Sequence, residues 1–149
     1  QIVQTSTTIV IASEELEEAR NIRMNAKHAP ASVVSWLGDS IGWWEGDTLV
    51  IETKYFAPTS AESAGPSHVF LVGPDTTVTE RITRVSVDEL SYVFTVEDPA
   101  YYTRPWKGET RFARSDEPIL EYACHEGNYS LTYALMGGRA TDPVTVAKK

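Results

Sequence analysis

Six residues of this chain have side chains and neighbours suited to moving protons or holding a charged group: Glu80, Asp98, Tyr102, Arg104, His125 and Glu126. The three carboxylates fall, by a two-residue period, on the apolar side of their segments. Glu80 sits between Val78 and Ile82, Asp98 continues Leu90, Tyr92, Phe94 and Val96, and Glu126 continues Leu120, Tyr122 and Cys124. Apolar surroundings disfavour an ionised carboxylate and so bring such a group toward general acid or base work near neutral pH. The competing expectation for Glu80 is a structural ion pair with Arg81, Arg84, Arg104 or Arg111, because buried charges are usually paired.

Two clusters gather these residues. Residues 98–106 hold Asp98, Tyr101, Tyr102, Arg104 and Trp106 between two prolines, Pro99 and Pro105, a stiff stretch rich in directional donors. Its aromatic residues either recognise a ligand or plug the end of a sheet. In residues 121–129, His125 can transfer protons near neutrality, with Glu121 or Glu126 to orient it. Adjacent residues on a strand face opposite ways, so His125 and Glu126 share a cavity only if the strand has ended, as Gly127 suggests. The chemistry these residues permit is cofactor-independent acid/base catalysis such as elimination, isomerisation or hydration. Asp98, Glu126 or Glu80 would be the base, His125 or Tyr102 the acid, and Arg104 the partner of an anion. The two clusters are expected to meet at one mouth of the sheet, with Arg104 in ionic reach of Asp98 or Glu126.

Other motifs carry less. Gly38-Asp39-Ser40-Ile41-Gly42 fits the spacing of a hydrolase nucleophile elbow, but that turn needs a helix after it, and here Trp43-Trp44 and a hairpin follow. His28, His68 and His125 have no metal-ligand spacing, and neither a metal nor a cofactor is expected. Cys124 is the only cysteine, which rules out an internal disulfide and reads as a small core residue. Asn128-Tyr129-Ser130 matches a glycosylation acceptor, a triplet that also arises often by chance.

Period-two alternation dominates the segments that carry these groups. Strands are expected at residues 2–5, 8–12, 21–24, 40–44, 48–56, 76–86, 89–97, 106–114 and 119–124. Glu45-Gly46-Asp47 forms a tight hairpin turn, residues 13–20 a connector of one or two helical turns, and residues 57–66 a loop able to act as rim or lid. Asn128 caps a short helix that Gly137-Gly138 ends. Many short strands on short turns argue for one all-β domain over residues 1–149, an antiparallel barrel or closed sheet, lipocalin-like in general shape, with one short C-terminal helix. At 149 residues, 42% hydrophobic and 23% charged, the composition is that of an ordinary globular domain without a membrane span. A net charge of −8 with scattered Lys and Arg excludes nucleic acid as a natural partner.

The runs Trp36-Leu37-Gly38-Asp39-Ser40 through Gly46-Asp47-Thr48-Leu49-Val50, Val78-Thr79-Glu80-Arg81, Glu97-Asp98-Pro99 through Tyr102-Thr103-Arg104-Pro105-Trp106, and Glu121 through Tyr129 resemble a large family of bacterial proteins with no assigned reaction. Members of that family are commonly longer and carry an export signal. The resemblance thus implies that this chain is the C-terminal part of a longer one, bacterial in origin and periplasmic or secreted. Taken with the residues, the expected function is binding of a small apolar or aromatic molecule inside a β-barrel, with or without acid/base catalysis. The alternative is a non-catalytic ligand-binding or protein-interaction domain, and homo-oligomerisation is left open.

Overall fold

The computed structural model describes residues 1–13, 19–58, 61–63, 69–120 and 126–141. The chain divides into two units, Gln1–Ile119 and Leu120–Lys149. The first unit is all-β. Its main sheet comprises β1 (Ile2–Gln4), β2 (Thr8–Ala12), β3 (Ala19–Met24), β4 (Asp39–Glu45), β5 (Thr48–Lys54), β8 (Thr77–Arg84), β9 (Glu89–Glu97) and β10 (Trp106–Ala113), in that spatial order. A small hairpin of β6 (Ala61–Ser63) and β7 (Val69–Leu71) is inserted between β5 and β8, its first strand inside the stretch 57–66 expected to be a loop. The main sheet curls into a half-barrel, so the all-β, barrel-like expectation holds. Closure does not follow, since β1 and β10 end the strand order without pairing to each other.

Every neighbouring pair in this sheet is antiparallel except β3 and β4, which run parallel. A parallel neighbour cannot be reached by a tight turn. The chain therefore crosses over through residues 25–38, whose Pro30 and Gly38 suit irregular backbone. The β4–β5 hairpin closes with Gly46-Asp47, and of these two only Gly46 has positive φ, 59°, the pattern of a II′ turn that calls for glycine first. The strand expected at 21–24 starts earlier, at Ala19, so Ala19 and Arg20 belong to the ladder and not to a helical connector.

Register assigns the faces. Ile9 pairs with Ile22, Ile22 with Ser40, Ser40 with Thr53, Ile51 with Glu80, Glu80 with Phe94, and Phe94 with Gly108, so all of these project to one side. On that side Ile9, Ile22, Leu49, Ile51 and Ile82 form the buried core, with Ile11, Met24, Leu90 and Tyr92 packed against it. Hydrophobic burial at about 25 cal/mol per Å2 drives this face inward. The opposite face carries Arg23, Asp39, Glu52 and Lys54, offset by one residue from the core positions.

In the second unit, α1 spans Ser130–Thr141. The Asn128 side chain accepts a hydrogen bond from Ser130 N at 3.1 Å, as a cap should. The helix does not stop at Gly137-Gly138, because neither glycine adopts the left-handed conformation that ends helices. Of the strand expected at 119–124, Ile119 and Leu120 are not in a strand, and the rest lies outside the described residues.

Candidate functional site

Glu80 is buried on the core face, as its alternation predicted. Its partner is none of the four arginines considered but Arg20, brought from β3 across the concave side. Arg20 Nη1 donates to Glu80 Oε2 at 2.6 Å and Nη2 to Oε1 at 2.8 Å, a bidentate pair, and the Tyr92 hydroxyl donates to Oε1 at 2.8 Å. Arg20 was invisible as a partner because residue 20 was assigned to a connector; only its place beside Ile22 in β3 turns it inward.

Asp98 is also buried, and it organises backbone. Its Oδ1 accepts from Ala100 N at 2.8 Å and Tyr101 N at 3.3 Å, while Oδ2 accepts from the Thr76 hydroxyl. Thr76 Oγ1 in turn accepts from Gly73 N at 2.7 Å. The turn after β9 and the approach to β8 are thereby tied by one threonine and one aspartate. Arg104 is exposed and forms no ion pair with Asp98, whose acceptors face Thr76 and the backbone instead; among the described residues it has none at all. Tyr102 is half-buried, and its hydroxyl donates to Leu71 O at 3.2 Å and accepts from Leu71 N at 3.1 Å, pinning the end of β7.

Glu126 is exposed on the turn before α1. His125, Cys124, Glu121 and His68 lie outside the described residues, so the expected meeting of the two clusters falls there too. Ser40, the serine of the elbow-like stretch, is buried in β4 and shares a 2.8 Å hydrogen bond with Thr53, as befits a core position. Among the described residues no group of three or more His, Cys, Asp or Glu is arranged to hold a metal ion. No helix among them is long and apolar enough to cross a membrane.

The concave face also carries a continuous run of rings on β9, β10 and the turn joining them. Phe112 and Tyr92 have centroids 5.4 Å apart, Tyr92 and Phe94 5.7 Å, Phe94 and Trp106 5.5 Å, and Trp106 and Tyr102 5.8 Å. Tyr92, Phe94, Trp106 and Tyr102 are half-buried and Phe112 is 49% exposed. The Phe94 ring lies over Gly108, where a Cβ would come within 2.4 Å of it. Trp106, which the sequence left as either ligand contact or plug, is a partly exposed member of this row.

Sequence reasoning missed a second polar centre, on the outer face. His28, in the crossover, directs Nδ1 to Asp39 Oδ2 at 2.8 Å and Nε2 to Glu52 Oε1 at 3.0 Å. Arg23 Nη2 donates to both oxygens of Asp39 at 2.7 and 2.8 Å, Ala29 N donates to Oδ2 at 3.0 Å, and Lys54 Nζ lies 2.9 Å from Glu52 Oε1. Burial works to raise the Asp39 carboxyl, but hydrogen bonds from His28, Ala29 and Arg23 outweigh it and hold it below its ordinary value. Glu52 is likewise held low, with burial opposed by Lys54 and His28. Beside them Tyr55, in T-shaped contact with His28 at 5.7 Å, has a positive φ of 60°, an uncommon conformation for a bulky residue. The available signal was Asp39 itself, inside the stretch inspected for its serine. Comparison of the chain with protein-family models, with characterised proteins and with solved structures finds no match.

Proposed function

We propose that the half-barrel binds a small, flat apolar or aromatic molecule against the concave side of β8, β9 and β10. The observation that carries this reading is the run of five rings from Phe112 to Tyr102, in unbroken contact and each still partly exposed. A ring surface of this kind offers dispersion and edge-to-face contacts to a planar ligand, and the Arg20–Glu80–Tyr92 network beside it supplies polarity for orientation. Binding is favoured over proton transfer because Glu80, Asp98 and Tyr102 are each engaged in bonds that hold the fold. The resemblance to exported bacterial proteins supports a ligand met outside the cytoplasm.

Tryptophan fluorescence titrated with a panel of small aromatics and lactones tests the proposal. A saturable change that Trp106→Phe diminishes and Phe94→Ala weakens about tenfold or more is expected, since a good ring contact contributes about 0.5–1.5 kcal/mol beyond its buried area. A panel without one saturable response, or binding indifferent to both substitutions, removes it.

A further inference from the structure

The crossover from β3 to β4 is fastened firmly at both ends and by very little between them. At its start Asn25 N donates to Gly42 O at 2.7 Å; at its far end Ser35 N donates to Tyr55 O at 3.2 Å and Ala57 N to Ser35 O at 2.7 Å. Residues 26–34 lie between these anchors. Among the described residues, every polar tie from this span to the sheet runs through the His28 imidazole or the Ala29 amide, and all of them end on Asp39 and Glu52. The only other backbone bond in the span, Val33 N to Pro30 O at 2.8 Å, is internal to it.

Both partners of the imidazole are carboxylates, which only accept hydrogen bonds when ionised, so both ring nitrogens must carry protons for both bonds to exist. The neutral ring has one N–H and one lone pair, and whichever carboxylate faces the lone pair meets repulsion in place of a bond. His28 is well covered, with 12% of its side chain exposed, so water compensates little. The charges facing the ring are Arg23 from β3, Asp39 from β4, and Glu52 and Lys54 from β5, with Tyr55 at its edge. Arg23 and Lys54 each face one of these carboxylates, both of which are held in the ionised form, and the number of N–H donors that the group can offer them is set by the proton count of the imidazole.

We propose that His28 is a proton-operated latch: as the imidazolium it bridges β4 and β5 and holds residues 26–34 on the outer face, and on losing its proton it frees that span while the anchors at Asn25 and Ser35 keep the sheet intact. The latch is independent of ligand binding on the concave side.

Amide hydrogen exchange, normalised at each pH to the rate of unstructured chain, reads the latch at Ala29 and its neighbours between about pH 5 and about pH 9, which bracket histidine titration in proteins. Protection of residues 26–34 is expected to fall on the order of tenfold at the higher pH, the scale of one unmade buried hydrogen bond, while Ile51 in β5 stays protected. In Glu52→Gln the side-chain amide can donate to the neutral ring while Asp39 accepts from it, so the span should stay closed at both pH values. In His28→Gln, which has no proton to lose, protection should be low and the same at both. Equal protection of the wild-type span at the two pH values, a step that survives in Glu52→Gln, or a simultaneous loss at Ile51 would each overturn the proposal.

Discussion

The Arg20–Glu80 pair shows how one side chain's partner decides its role. Glu80 is 4% exposed and Arg20 23%, so truncating the arginine strands a carboxylate beneath the sheet with the Tyr92 hydroxyl as its remaining donor among those described above. Arg20→Ala is expected to cost about 3 kcal/mol in urea denaturation, the low end of the range for breaking a buried pair because the guanidinium is partly in water. Replacing both partners by apolar residues should recover most of that loss. On the outer face, Asp39 and Glu52 are held below their ordinary values of 3.8 and 4.5. Groups so depressed add stability above those values and lose it as the pH falls through their lowered folded-state values. The thermal midpoint should therefore fall below about pH 4 in the wild type and fall less steeply in Asp39→Asn, with differential scanning calorimetry as the check. Sequence made Glu80 and Asp98 legible as inward-facing, since alternation alone fixes a face. It could not name Arg20, Thr76 or His28 as partners, because those contacts depend on strand order and on where a crossover lies down.

Among the elements, β9 and β10 were read nearly to the residue, since long alternating strands joined by turn residues leave little freedom. Trp106, Gly108 and Phe112 share one face, paired with Val96, Phe94 and Leu90. The glycine has a reason that only the fold supplies: the Phe94 ring occupies the space above it. Gly108→Val should force that ring aside at a cost of about 1–3 kcal/mol, seen as a lower urea midpoint. The hairpin β6–β7 escaped notice because its strands are three residues each, too short for a period to register, and the first lies among Pro, Ser and Ala. Its tie to the turn after β9 is the Tyr102 hydroxyl, and Tyr102→Phe should cost about 1 kcal/mol while raising exchange at the Leu71 amide.

For the molecule as a whole, the barrel-like curl followed from the number and shortness of the strands, whereas its openness did not, because no local pattern says whether first and last strands pair. All five residues of the main core belong to strands before residue 84. A chain ending at Ile119 is expected to retain a β-type circular dichroism spectrum and a cooperative thermal transition. The parallel step between β3 and β4 divides the sheet in a further sense. On one side lies the meander β1–β3 and on the other the strands from β4 to β10, and the ladder that joins them has three register pairs, against eight between β8 and β9. Each side is made of sequence neighbours and can form early, while their union waits on closing a loop through the crossover. That junction is a seam: under mild denaturant β1, β2 and β3 should come away together, exchanging their amides through an opening less costly than global unfolding, while β5, β8 and β9 remain zipped.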